Sequence, residues 1–237
     1  MKNKEPENSP EKATDEAKET FSQENVSPAV IKRLPRYFRY LRILIREGKM
    51  RISSAELSKR MNITASQIRQ DLNCFGGFGQ QGYGYNVNYL YAKICDLLGV
   101  GAGFQVIIIG GGNLGRALVK NPMFEKRGVD ISAIFDVDEK LVGKSINGIN
   151  VYHIDELEKY IENHKIDIAV LTLPKEDTLQ MVTRLTNAGV QGFWNFTGQE
   201  LGDLEDDCVI ENVHLGDSLM TLNYRLSCKY NEEKAKD

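Results

Sequence analysis

The stretch Ile107–Phe124 reads IIIGGGNLGRALVKNPMF and decides the fold. With Phe104, Gln105 and Val106 ahead of them, its three isoleucines form a short apolar run suited to a strand buried on both faces. Gly110, Gly112 and Gly115 follow at the spacing G-x-G-x-x-G, with Gly111, Asn113 and Leu114 between them, and lead into helix-forming residues. A strand, this turn and a helix together make a dinucleotide fingerprint. The first glycine permits the tight turn, the second admits a pyrophosphate close to the backbone, and the third lets helix and strand pack. The helix start then presents unpaired N–H groups to phosphate. Asp136 ends the next apolar run, ISAIFD, where an acid accepts hydrogen bonds from ribose hydroxyls. Such an acid repels a 2′-phosphate, so the expected cofactor is NAD⁺/NADH rather than its phosphorylated form.

Downstream of the turn the chain alternates. ISAIFD, DIAVLTL and QGFWNF read as strands, and IDELEKYIENH and EDTLQMVTRLTNAG as helices. This rhythm predicts a doubly wound parallel sheet with helices on both faces over residues 104–213. Thr172, Leu173 and Pro174 fall at the carboxyl end of a strand, the edge where such sheets bind ligands. The last segment, residues 214–230, places Leu215, Leu219, Leu222 and Leu226 at helical spacing, an apolar stripe consistent with a partner helix.

Upstream of the turn the character changes. Residues 32–71 hold eleven Lys/Arg against three Asp/Glu, while the whole chain of 237 residues carries a formal charge of −3. A basic segment attached to an acidic remainder points to a polyanion partner for that segment alone. Ser27-Pro28 and Pro35 mark helix starts. Tyr37, Phe38, Leu41, Leu44 and Ile45 make an amphipathic helix, and Ser53 with Glu56 a capping box. Thr64 starts a third helix whose apolar stripe is Ala65, Ile68, Leu72 and Phe75. That stripe turns Ser66, Gln67, Arg69, Gln70 and Asn73 outward. Two short helices joined by a tight turn read as a helix-turn-helix. The glycine- and aromatic-rich FGGFGQQGYGYNV after them reads as a β-hairpin wing. Double-stranded DNA is the expected partner. Arg69 and Gln67 are expected at base edges beside Ser66 and Gln70, with Arg33, Arg36 and the wing, through Gln81 and Tyr83, at phosphates.

The expected fold is therefore α/β: an N-terminal winged helix-turn-helix, then a Rossmann-like sheet, then a C-terminal helix. The boundaries are a disordered tail at 1–25, the winged helix at 26–87, a connecting helix and linker at 88–103, the sheet domain at 104–213, the last helix at 214–230 and a tail at 231–237. The polar tail 1–25 lacks the apolar residues that offset ordering entropy. Cys74, Cys95, Cys208 and Cys228 form neither a CxxC pair nor a metal-ligand spacing, so no metal is expected. Free thiols and the lack of a long apolar run imply a reduced, cytoplasmic protein without a membrane span. His153, His164 and His214 pair with no catalytic partner by spacing, and no second substrate domain follows the sheet, so no catalytic residue is expected. The alternatives are an NAD-dependent oxidoreductase with an ancillary basic domain, or a DNA-binding repressor with an altered cofactor response.

RLPRYFRYL, RISSAELSKRMNITASQIRQDLNCFGGFGQQGYGYNV, the glycine turn with FDVD, LTLP and WNF together resemble the Rex family of redox-sensing transcriptional repressors, from about Ser27 to Tyr230. The resemblance implies a homodimer whose C-terminal helix is swapped between subunits. It implies that NAD⁺ is compatible with operator binding and that NADH releases the DNA. It also adds Asn195 and Phe196 to the cofactor contacts and Arg39 to the switch network. Asn121 stands where the family usually has a sensing tyrosine, and His214 where it has that tyrosine's aspartate partner, so the groups that read the redox state stay open. Many members carry a basic residue where Gln70 and Gln81 stand. Glutamine still reads adenine in the major groove, but fewer neutralised phosphates give a shallower salt dependence.

Overall fold

The computed structural model describes residues 26–75, 79–80, 83–204 and 208–234. The tail expected at 1–25 and the wing residue Gln81 lie outside them. The chain divides into two units, Met1–Leu98 and Gly99–Asp237.

In the first unit, α1 (Pro28–Ile31) and α2 (Leu34–Arg46) are separate helices. Ser27 occupies the N-cap position of α1, but its side chain makes no capping bond. Along α2, Leu34, Tyr37, Phe38, Leu41 and Leu44 are buried at helical spacing. Strand β1 (Arg51–Ile52) leads into α3 (Ser54–Met61). There the Ser53 hydroxyl accepts from the Glu56 amide at 3.1 Å, and the Glu56 carboxylate accepts from the Ser53 amide at 3.0 Å, closing the capping box. Asn62 ends α3 in the left-handed conformation with φ +52°, as a short polar side chain tolerates. After this turn, Thr64 Oγ1 accepts from the Gln67 amide at 3.1 Å and opens α4 (Ala65–Asn73). Strands β2 (Gly79–Gln80) and β3 (Gly84–Asn86) pair antiparallel, and β1 joins β3, giving a three-stranded sheet. A Cβ at Gly84, φ +69°, would lie 2.7 Å from the Ile52 carbonyl oxygen, so the β1–β3 contact requires glycine there.

Helix α5 (Val87–Leu97) differs from the connector expected at 88–103. Its Val87, Leu90 and Ile94 are fully buried, it packs along α2, and the first unit runs to Leu98. Spacing of i, i+3 and i+7 gives one inward face, and that face completes the core of this unit.

In the second unit a seven-stranded sheet has the order β10-β9-β8-β4-β5-β7-β6. Its strands are β4 (Phe104–Ile109), β5 (Val129–Asp136), β6 (Ser145–Ile146), β7 (Ile149–His153), β8 (Ile168–Leu171), β9 (Gly192–Asn195) and β10 (Val209–Asn212). All neighbouring pairs are parallel except β6–β7. Helix α6 (Asn113–Val119) covers one face, while α7 (Leu157–Asn163) and α8 (Thr178–Asn187) cover the other. Ile107 and Ile109 point to the α7/α8 side, and Val106 and Ile108 to the α6 side. A continuous apolar run is what a strand covered on both faces requires. Each such side chain contributes about 1.5–3 kcal/mol on burial.

The alternation of strand and helix skips the hairpin β6–β7. Only Val151 of β7 is buried, so the segment carries no buried run, yet β7 extends the sheet beyond β5. The last helix, α9 (Leu215–Lys234), is longer than the expected 214–230, because Glu232, Glu233 and Lys234 continue it and Lys229 Nζ lies 3.9 Å from Glu233 Oε1 one turn on. No residue of α9 is buried, and Leu219 and Leu222 are each 58% exposed. Among the described residues no helix is long and apolar enough to cross a membrane.

Candidate functional site

A cleft of about 460 Å³ opens at the carboxyl ends of β4, β5 and β8. The glycine turn forms its floor, and the three glycines differ in what holds them. Gly110 has φ +98°, and a Cβ there would sit 2.5 Å from the Thr172 carbonyl oxygen. A Cβ on Gly115 would fall 2.1 Å from the Gly110 carbonyl oxygen. Both are required by the protein's own packing. A Cβ on Gly112 would meet nothing within 4 Å, although Gly112 lines the cleft. Nothing within the described residues explains a glycine at that position, whereas a pyrophosphate seated against the backbone does. The amides at the start of α6 have no side-chain cap, which leaves them available to an anion.

Other groups fix this turn. The Thr172 hydroxyl stands 2.8 Å from the Gly110 carbonyl oxygen and 3.0 Å from that of Ile109, so it donates to the turn. Asp136 Oδ2 accepts from the Gly111 amide at 2.5 Å and Oδ1 from the Asp138 amide at 2.8 Å. A carboxylate offers about four acceptor directions, so directions remain for ribose hydroxyls. Arg116, which the spacing did not single out, donates from Nε to the Gly111 carbonyl at 2.9 Å. The far wall comes from Leu173, Pro174 and α8, where Gln180, Met181 and Arg184 line the cleft. Arg184 is held by Glu158, whose carboxyl the guanidinium keeps below the usual carboxylate range, and by the Ile154 carbonyl at 2.9 Å. No sequence motif marks these α8 residues; they become neighbours of the turn only through the crossover.

Not all expected cofactor residues gather here. Asn195 is buried and its amide is spent. Its Nδ2 donates to the Gln199 carbonyl and to Asn212 Oδ1, each at 2.7 Å, and its Oδ1 accepts from the Thr197 amide and hydroxyl. It shapes the loop after β9. Phe196 packs edge-on against Trp194 at 4.7 Å, on the α6 side of the sheet. Asn113 is exposed and Leu114 packs toward the α6-side core. Asn121 accepts from the Met123 amide at 3.0 Å. His214, for which spacing offered no partner, has Nε2 3.1 Å from Glu200 Oε1. No histidine lines the cleft. His153 caps a 3-10 turn and His164 stacks on Tyr160. Among the described residues no group of acids, histidines and cysteines could hold a metal.

The first unit carries the second candidate surface. With Ile68 and Leu72 buried, α4 exposes Ser66, Arg69, Gln70 and Asn73. Arg69 reaches Ser54 Oγ at 3.2 Å. Tyr83 is exposed and lies under the Arg51 guanidinium, 5.9 Å from it. Arg39 is exposed, with its guanidinium 5.8 Å from the Tyr40 ring.

Two of the expected phosphate contacts are engaged within the protein instead. Arg36 donates to the Met61 carbonyl at 2.5 Å, at the end of α3. Arg33 makes a bidentate pair with Asp71, both bonds 2.7 Å. Asp71 is 0% exposed, and it also accepts from the Tyr37 hydroxyl at 2.9 Å and from Gln67 Nε2 at 2.8 Å. Burial pushes its carboxyl up, but the bonds from Arg33, Gln67 and Tyr37 outweigh that and hold it below the usual range. Burial and the bond to Asp71 push the Tyr37 hydroxyl far above its ordinary value. Sequence reading passed over Asp71, since its position in α4 matches neither an apolar stripe nor a motif.

Comparison with known proteins covers both units. The family model described as "CoA binding domain" matches residues 104–198. That described as "Putative DNA-binding protein N-terminus" matches residues 25–73. The chain is similar to the redox-sensing transcriptional repressor Rex of Caldicellulosiruptor saccharolyticus, at 50% identity over 90% of this chain and 97% of that protein. It is similar to Rex of Clostridium beijerinckii at 47% identity over 86% of this chain and 96% of that protein. Among solved structures, RSP, a Rex-family repressor, superposes with a TM-score of 0.82 at 46% identity, over 90% of this chain and 99% of that one. RSP with β-NAD⁺ and operator DNA gives 0.79 at 47% identity, over 89% of this chain and 97% of that one. RSP with β-NADH gives 0.80 at 44%, over 89% and 98%.

Proposed function

The chain belongs to the Rex family, and we propose that it is a transcriptional repressor that binds operator DNA through its first unit and is released by NADH held in the cleft of its second. The observation that carries this reading is Gly112, open to a cleft whose other two fingerprint glycines are explained by packing, in the same chain as a capped helix-turn-helix. Relatives with these two parts are repressors, and RSP has been solved with NADH and with NAD⁺ plus operator DNA. In this reading the cofactor is a signal, not a reagent.

Gly112 and the first amides of α6 hold the pyrophosphate, Asp136 the adenosine ribose, and Leu173 and Pro174 wall the cleft. Bound there, the nicotinamide ring supplies the redox difference that the protein reads. Release of DNA requires NADH to bind the DNA-incompetent form more tightly than the competent one. Arg39, Asn121 and His214 remain the candidates for sensing it, and Glu200 joins them through His214. Exposure of Leu215, Leu219, Leu222 and Leu226 along α9 supports a homodimer in which this stripe is covered by a second copy, swapped between subunits. A reduced cytoplasmic setting suits such a repressor.

Calorimetric titration of the full chain with NADH, NAD⁺ and NADPH, with mass measured by light scattering, tests this reading. Heat from NADH and NAD⁺, little from NADPH, and a dimer mass support it. No binding of either non-phosphorylated form refutes it.

A further inference from the structure

Gln67 is the third residue of α4 and is half-buried. Residues near the start of a recognition helix meet base edges. A glutamine amide has two arms, a carbonyl that accepts and an NH₂ that donates, and base readout depends on which arm faces the groove. Here that choice is fixed one turn away. Asp71 lies at i+4 on the same face, and its carboxylate only accepts, so the arm 2.8 Å from Asp71 Oδ1 must be the NH₂. Reversing the amide would set two acceptors against each other in a buried site. The carboxylate itself cannot turn away. Arg33 Nε and Tyr37 Oη occupy Oδ2, while Arg33 Nη2 and Gln67 share Oδ1, so all four acceptor directions are filled. The Gln67 carbonyl oxygen has no hydrogen-bond partner among the described residues.

We propose that Asp71 is a positioning residue for base readout: by holding the NH₂ of Gln67 inward, it presents the Gln67 carbonyl to the major groove as an acceptor. One N–H of Gln67 is spent on Asp71, and the oxygen is left to accept. At the position it reaches, α4 then favours a base with a major-groove amino donor, adenine or cytosine, over guanine and thymine, which offer the oxygen no donor. The inference rests on α4 being the recognition helix.

The test is selection from a pool of randomised duplexes by the full wild-type chain and by Gln67→Ala and Asp71→Asn, followed by affinity measurements on the selected duplex. Gln67→Ala identifies the position it reads as the one where base preference disappears. Adenine or cytosine is expected there. Replacing that base by its analogue without the exocyclic amino group should weaken wild-type binding about tenfold. Asparagine at 71 can turn its own NH₂ toward Gln67, giving up the Arg33 Nη2 bond to that atom, and allow the Gln67 amide to reverse. In Asp71→Asn the discrimination of donor from acceptor bases at that position should therefore fall to under about threefold, while binding to non-selected duplex is retained, which a merely structural role would not produce. Should Asp71→Asn not fold, base identity and the amino-deletion cost in the wild type still decide.

Guanine or thymine at the Gln67-dependent position, no cost of deleting the amino group, or a folded Asp71→Asn with full discrimination overturns the inference alone. So does an enriched sequence whose preferences Gln67→Ala leaves unchanged. A pool that yields no enriched sequence overturns the DNA-binding reading and this inference with it.

Discussion

The glycine turn of the second unit and helix α4 of the first are held rigid by different means. In the proposed reading each holds groups ready for a ligand. In the turn, rigidity comes from backbone: Gly110 and Gly115 let β4, α6 and Thr172 approach until no side chain fits, and only Gly112 is left open. In α4, rigidity comes from one buried carboxylate on which Arg33, Tyr37 and Gln67 converge. Fixing backbone needs small residues at set spacing. Fixing side chains needs a buried charge with every acceptor direction used, because an incompletely paired one is costly.

Removing the hub of α4 has the largest expected effect. Asp71→Ala strands the Arg33 guanidinium and the Tyr37 hydroxyl, and should destabilise the first unit by about 3–5 kcal/mol. Thermal or denaturant unfolding of the full chain reads this; a loss below about 1 kcal/mol would show that the network does not anchor the unit. In the turn, Gly115→Ala forces a Cβ against the Gly110 carbonyl and should cost about 3 kcal/mol, the upper range for overpacking. Unaltered melting of the second unit would contradict the close approach.

Gly112→Ala separates ligand from packing within the same turn. It should leave stability within about 0.5 kcal/mol yet weaken NADH binding about tenfold or more, by displacing the pyrophosphate from the backbone. Calorimetry beside a melting curve shows both, and equal losses at Gly112 and Gly115 would erase the distinction drawn between them.

The smallest expected effect concerns Glu56, whose carboxyl is drawn down to about 2 by Lys49, with the Ser53 amide and hydroxyl adding to it. A depressed acid stabilises fully above its ordinary value of 4.5 and loses that contribution as pH falls toward the folded value. The difference in stability between wild type and Glu56→Gln should therefore shrink below pH 4.5, from a starting size under about 1 kcal/mol, since solvent screens the pair. A gap that stays constant down to about pH 2 would mean that the capping carboxylate is not the titrating group.

The same contrast explains what the sequence made legible. Glycine spacing, the apolar run before it and Asp136 after it report backbone constraints, which leave a local pattern, so the turn and the parallel sheet could be read directly. The capping residues Ser53, Glu56 and Thr64 were readable for the same reason. Asp71 leaves no such trace. Its importance arises from Arg33, thirty-eight positions away, which composition assigned to a basic surface. Arg184 and Glu200 were invisible likewise, because each meets its site across a loop or crossover. Asn195 was assigned to the cofactor, yet its four hydrogen bonds go to its own loop and to β10, which only three-dimensional pairing shows. The hairpin β6–β7 was missed because an edge strand with one buried residue carries no apolar signature.

Fluorescence anisotropy of a selected duplex titrated with the full chain, at fixed salt, with saturating NAD⁺ in one series and saturating NADH in the other, addresses redox-controlled DNA release most directly. A ligand with no preference between two states shifts nothing, so NADH must lower duplex affinity, by about tenfold or more for a coupling of about 1.4 kcal/mol, while NAD⁺ leaves it intact. Equal duplex affinity in the two series, with both nucleotides bound, would contradict the reading of this chain as a redox-sensing repressor.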